Sequence, residues 1–228
     1  TLTLPDRWIL TRFQDAVRDV SAHMEDGDFG LAAQKCYDFV WSEFCDWYIE
    51  LSKSRLLGED AESKAAARAV LLYVLEGLLK LLHPFMPFLT EEIYQNLPGS
   101  EGFLMRAKWP EIDSALDFPE DAAKMTGVMD MIRAIRNLRA EMNVQAGRRT
   151  SLLLLPQAGW AKALENAAPT FQRLAFATQV RLMESRDQAP QKAATAVCAA
   201  AELFIPLGEL VDLEKERQRL RKDQEQLG

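Results

Sequence analysis

The chain is poor in the residues that build metal and redox chemistry, with three cysteines and two histidines among 228 residues. Cys36, Cys45 and Cys198 are odd in number, share no Cys-x-x-Cys spacing and lie inside apolar patterns. They read as reduced core residues, which excludes a disulfide or zinc framework. His23 and His83 make no familiar metal spacing with them. The glycines never gather into a phosphate-cradling loop, and Gly-x-Ser-x-Gly, His-Glu-x-x-His and a close Cys-His pair are all missing. Catalytic groups and cofactor sites of the chain's own are therefore not expected. Long apolar runs are missing too. Charges or prolines interrupt each one well short of the ~20 residues a membrane span needs, and no signal-peptide pattern opens the chain, so it reads as cytoplasmic.

What is present is an ordinary globular composition, 48% hydrophobic and 27% charged, which is enough for a sizeable core in one or two domains. The formal net charge of −7 argues against a nonspecific nucleic-acid binder, whose affinity comes chiefly from neutralising phosphates. Cations nevertheless concentrate in two places, the segment Arg106 to Lys108 and the series Arg133, Arg136, Arg139, Arg148 and Arg149.

The first half has helical periodicity throughout. Leu10, Phe13, Val17, Val20 and Met24 keep a three-four spacing after Pro5 and Asp6, until Gly27 stops it. A second helix spans Phe29 to about Leu56. In it Ala33, Tyr37, Val40, Phe44, Trp47 and Leu51 form one apolar face, with Trp41, Cys45 and Tyr48 beside it, as expected of a core helix in a bundle. Lys53 and Arg55 leave that stripe at the helix end, where they either meet a polyanion or are simply solvated. A third helix covers Ala65 to Leu82 with Leu71, Leu75, Leu78 and Leu82 inward, ended by Pro84 and Pro87. Thr90 is a candidate cap for the next, with Glu91 and Glu92 in its first turn.

After Gly99 the texture changes. Phe103 to Pro110 looks extended, and Phe118-Pro119-Glu120-Asp121 opens a helix with Met125, Val128, Ile132, Ile135 and Met142 inward. Ser151–Leu155, Val180–Glu184 and Thr195–Leu207 read as strands, the last folding on itself near Ala200. A helical stretch with Trp160, Leu164, Phe171 and Leu174 lies between the first two. Leu213, Leu220 and Leu227 then recur every seven residues among charges, the pattern of an opening coiled coil.

Five blocks carry a resemblance: Asp6–Leu10 (Asp-Arg-Trp-Ile-Leu), Tyr37–Lys53 with its Glu-Phe-Cys-Asp-Trp-Tyr core, Leu82–Tyr94 with His-Pro-Phe-Met-Pro-Phe, Arg136–Val144, and Ala201–Leu207. In order and spacing, over essentially the whole chain, they resemble the C-terminal region of the valyl-tRNA synthetase family. The resemblance implies a mainly α architecture: an anticodon-binding helical bundle over residues 1–118, a small α+β subdomain over 119–208, and the opening turns of a coiled-coil arm over 209–228. The family's His-Ile-Gly-His and Lys-Met-Ser-Lys-Ser motifs and its editing domain are missing from this sequence. The resemblance thus implies a non-catalytic part of a larger enzyme that joins valine to tRNA(Val) using ATP with magnesium. It also implies a monomer with tRNA(Val) as partner.

On that reading Lys53 and Arg55, with Leu51 as an apolar platform, are candidates for the anticodon loop. Arg106, Lys108, Arg133, Arg136, Arg139, Arg148 and Arg149 are further tRNA-binding candidates. Single-stranded loops suit such residues, since unstacked bases lie on apolar side chains while Lys and Arg hold phosphates. The alternative is a helical protein-interaction scaffold in which the same stripes are purely core.

Overall fold

A computed structural model describes residues 1–145 and 147–210. The chain is mainly helical with one four-stranded sheet, and its contacts divide it into two compact units that meet in sequence at Met125/Thr126. That boundary falls inside a helix, a few residues after the 118/119 division that the resemblance implied. The heptad tail, Leu213 to Leu227, lies outside the described residues.

In the first unit, α1 (Leu4–Glu25) starts where Thr3 N–H donates to Asp6 Oδ2 at 2.8 Å, a capping-box contact, with Pro5 in the opening turn. It buries Trp8, Ile9, Phe13, Val17 and Val20. α2 (Phe29–Phe39) continues through a π-helical stretch (Val40–Ile49) into α3 (Glu50–Leu56). A π turn holds more residues than an α turn, so the buried positions step from Phe39 to Phe44 and on to Trp47, Tyr48 and Leu51. Tyr37 and Trp41, expected in the core from a uniform period, are instead more than half exposed, their rings 6.2 Å apart.

α4 (Ala61–Leu82) is capped by Asp60, whose carboxylate accepts from Glu62 and Ser63 N–H. Its fully buried face is Ala67, Val70, Val74, Leu78 and Leu81, rotated from the expected leucine stripe. The β-branched positions face the main core, and Leu75 packs instead on a satellite cluster of Leu79, Tyr94 and Leu104. α5 (Pro87–Gln95) begins a turn earlier than Thr90, because Pro87 at the first helical position needs no amide partner. Thr90 is buried within it and donates to Met86 O, while His83 Nδ1 lies 2.8 Å from its hydroxyl. The segment expected to be extended instead folds into a 3-10 turn at Leu104–Arg106.

α6 (Pro119–Glu141) buries Met125, Val128, Ile132 and Ile135 as its pattern required, whereas Met142, also expected inward, falls just past the helix end and is only partly buried. It ends in a Schellman-type cap: Asn143 takes a left-handed φ of 51°, Val144 N–H reaches Arg139 O and Asn143 N–H reaches Ala140 O. In the second unit β1 (Thr150–Pro156), α7 (Ala161–Asn166), α8 (Ala168–Leu174) and β2 (Ala177–Leu182) form a parallel crossover unit. β3 (Ala193–Val197) and β4 (Ala201–Pro206) form the expected hairpin. The sheet order is β2-β1-β4-β3, with β4 antiparallel to both neighbours, and Leu152, Leu154, Leu203 and Ile205 lie buried in it. A final turn, α9 (Leu207–Leu210), follows β4.

Candidate nucleic-acid interface

Asp6 organises the end of the first unit where α1 begins and α3 stops. Its carboxylate is fully buried and accepts from the Tyr48 hydroxyl at 2.7 Å, the Thr3 hydroxyl at 2.8 Å and Arg55 Nη1 at 2.6 Å. Arg55 further donates to Ser63 Oγ and Ser63 O, so one guanidinium ties α3 to the starts of α1 and α4. Burial, then the charge of Asp6, pushes the Tyr48 hydroxyl pKa well above its ordinary value. Two sequence expectations change here. Leu51 is buried, so its side chain fills the core instead of offering a platform to a base. Arg55 has only 15% of its side chain exposed and is committed to Asp6. Lys53, by contrast, stands half exposed beside Glu50, a flexible surface pair that a polyanion can displace.

The second cation group lies along the segment after α5. Arg106 and Lys108 are both exposed. Lys108 lines a groove of about 300 Å³ whose floor is Phe13 and Gly77 and whose sides include Tyr73, Trp109, Lys80 and Glu111. Gly77 lets the Phe13 ring pack directly on the α4 backbone: a Cβ there would lie 2.1 Å from the ring. The Trp109 indole N–H donates to Ser21 Oγ at 2.8 Å, which fixes the ring at the groove edge.

In the second unit the arginines do not form one solvated stripe. Arg133 is exposed and pairs with Asp130 at 2.7 Å. Arg136 Nε donates to Leu174 O and Arg149 Nη1 to Gln172 O, carbonyls of the last turn of α8, where cations complement both the orphan acceptors and the negative helix end. Arg139 is 7% exposed. Its Nη2 donates to Arg148 O at 2.5 Å, its guanidinium lies 5.4 Å from the Phe176 ring centroid, and its Nη1 has no partner. Burial and the neighbouring Arg148 charge push its pKa down.

The sequence pattern singled out these arginines but missed Phe176, and it marked Asp6 only as a helix start. Phe176 follows α8 in a left-handed backbone conformation, φ 56°, and the residue is 38% exposed. Nothing in the string Ala175-Phe176-Ala177 marks it. Among the described residues no helix is long and apolar enough to cross a membrane, and no cluster of three metal-ligating side chains occurs.

Comparison with known proteins adds to this geometry. Residues 6–154 match a family model described as "Anticodon-binding domain of tRNA ligase". A valine-tRNA ligase of Clostridium tetani is 44% identical over 217 residues, covering 95% of this chain and 24% of that protein. One from Clostridium acetobutylicum is 42% identical over 225 residues, 99% of this chain and 26% of that protein. One from Bacillus cereus is 39% identical over 222 residues, 96% of this chain and 25% of that protein. The chain spans about a quarter of the length of the curated relatives it matches.

Proposed function

This chain belongs to the family of anticodon-binding domains of tRNA ligases, and on that premise we propose that it is the tRNA-gripping portion of a valine-tRNA ligase specific for tRNA(Val). The observation that carries the reading is the 44% identity to a valine-tRNA ligase across 95% of the chain. On this reading the chemistry that joins valine to tRNA with ATP and magnesium belongs to the rest of the enzyme. This chain supplies binding energy and discrimination, as a monomer in the cytoplasm. Lys53, Arg106, Lys108 and Arg148 meet phosphates or base edges. Leu51 and Arg55 hold the end of α3 that presents Lys53, and Arg136 and Arg149 hold α8.

The test is binding of labelled tRNA(Val) to the chain over a salt series, beside an unrelated tRNA and tRNA(Val) with a changed anticodon. Phosphate contacts make log K fall linearly with log salt by roughly 0.7 to 0.9 per phosphate, and an anticodon-dependent contact separates the three RNAs at every salt. Equal, salt-insensitive binding of all three, or none, would return the chain to the scaffold reading.

A further inference from the structure

We propose that the groove lined by Phe13, Tyr73, Lys80, Lys108, Trp109 and Glu111 takes one unstacked base of the bound tRNA, with the base against the aromatic rings and its flanking phosphates on Lys108 and Arg106. The inference rests on the tRNA-binding reading above and adds to it a base site in the first unit, none of whose lining residues belongs to α3.

The groove is formed before any ligand arrives. Its volume of about 300 Å³ lies at the lower end of the range for small-ligand clefts, which suits one ring system and is too small for a partner's helix, ~10 Å across. Tyr73 and Trp109 each keep more than a third of their surface exposed, so their rings are open to a ligand. Both rings are also held. Tyr73 stands edge-on to Phe13, at 82° with centroids 5.7 Å apart, and the Trp109 indole N–H is bonded to Ser21 Oγ. Rings fixed in advance lose little freedom when a base lies on them, so more of the contact energy remains as affinity.

The charges around the rings decide what kind of ring fits. Lys80 is paired with Glu76 at 2.8 Å, whereas Lys108 and Glu111 make no ion pair among the described residues. A bare anion in the groove would meet both glutamates as well as the lysines, which argues against a free phosphate. A base answers both signs, because its edge offers amino donors to a carboxylate and carbonyl or ring-nitrogen acceptors to an ammonium. Among protein side chains of similar size, Trp and Arg are donors only and leave the lysines unanswered. Arg106, two residues before Lys108 and also exposed, adds a second cation on the same segment for the phosphates on either side of the base.

The experiment uses the whole chain carrying fluorine-labelled tryptophan, with the Trp109 resonance assigned through Trp109→Phe. The probes are tRNA(Val), a short single-stranded RNA, an RNA duplex of the same length and the tripeptide Glu-Trp-Lys. The expected result is that tRNA(Val) and the single strand shift the Trp109 resonance while buried Trp8 stays in place, and that the duplex, whose bases are paired and stacked, does not. Affinity for tRNA(Val) should fall roughly fivefold or more in Tyr73→Leu, which keeps an apolar contact for Phe13, and stay near wild type in Tyr73→Phe, which keeps the ring. Lys108→Ala should lower the salt slope by about one. The Trp109 shift and the Lys108→Ala slope decide the matter even where Tyr73→Leu melts early. A Trp109 resonance unmoved by saturating tRNA(Val), an equal shift by the duplex, or a shift with wild-type slope in Lys108→Ala would overturn the base site while leaving the tRNA reading intact. Failure of the wild-type chain to bind any tRNA would overturn both. A shift with the tripeptide and none with tRNA(Val) would assign the groove to a protein side chain and overturn it as an RNA site.

Discussion

Asp6 shows how much of this fold hangs on one buried carboxylate. Three donors from three parts of the chain, Thr3, Tyr48 and Arg55, converge on it. Removing it strands a guanidinium and a phenol together, so Asp6→Ala should cost about 3 kcal/mol or more in a urea melt. Tyr48→Phe removes a single bond and should cost only about 1 to 2 kcal/mol near neutral pH. The Tyr48 hydroxyl has a folded pKa above its unfolded value, so its contribution is complete below the unfolded pKa of about 10 and fades as pH rises beyond it. The stability gap between wild type and Tyr48→Phe should therefore shrink above pH 10, and a gap that stays constant to pH 11 would refute the assignment. Cys36 offers a second titration. Burial pushes its thiol up to about 11, so in the folded chain its alkylation should stay slow at pH 8 and accelerate only as pH approaches that value. Mass mapping of the labelled site reads this directly, and fast labelling of Cys36 at pH 8 would contradict it.

Elements are held in place by close approaches that reverse ordinary helix propensities. Alanine normally outranks glycine inside a helix by about 1 kcal/mol, and Gly30 in α2 has open space around it, so Gly30→Ala should stabilise the chain by roughly that amount. Gly77 in α4 obeys the opposite rule. The Phe13 ring occupies the place of its missing Cβ, and Gly77→Ala should destabilise by about 1 to 3 kcal/mol while narrowing the groove beside Lys108. Denaturant midpoints of the two variants, moving in opposite directions, test the pair, and a stabilised Gly77→Ala would refute the packing argument. The same contrast explains what could be read beforehand. α1 and α6 carry strong local signals, a capping proline or acid and a sustained apolar period, and their cores were legible. The π-helical stretch was not, since a change of period leaves no local mark, and it moves Tyr37 and Trp41 from an expected core to the surface. The hairpin at Ala199-Ala200 was legible from its flanking runs, although neither loop residue has the positive φ that glycine would favour. At the candidate site the cations were visible as letters. Their assignments were not: the pairing of Arg55 with Asp6 spans 49 residues, and the docking of Arg136 on Leu174 spans 38. Long-range partners of that kind are decided by tertiary packing, which periodicity does not encode.

For the whole molecule, the division of contacts at Met125/Thr126 has an observable consequence, because each unit has its own core. The first packs Trp8, Phe13, Val17 and Trp47. The second packs Leu152, Leu154, Phe171 and Ile205. Small single domains unfold in one cooperative step, whereas chains with separate cores commonly do not. The tryptophans report the two units independently. Trp8, Trp41, Trp47 and Trp109 fall in the first, and Trp160 in the second, where its ring covers Gly127. With fluorine-labelled tryptophan, the Trp160 resonance should lose its native position at a different urea concentration from that of buried Trp8. The second unit is expected to yield first. Its sheet is small and two of its helices, α7 and α8, run only 6 and 7 residues, lengths that depend wholly on packing for their stability. If that is so, bound tRNA(Val) should raise the Trp160 midpoint, because a ligand that binds only the folded form stabilises it by mass action, and on the proposed reading Arg148 of the second unit is one of its contacts. Coincident midpoints for Trp8 and Trp160, unmoved relative to one another by tRNA, would mean that the two cores fold as a single cooperative body.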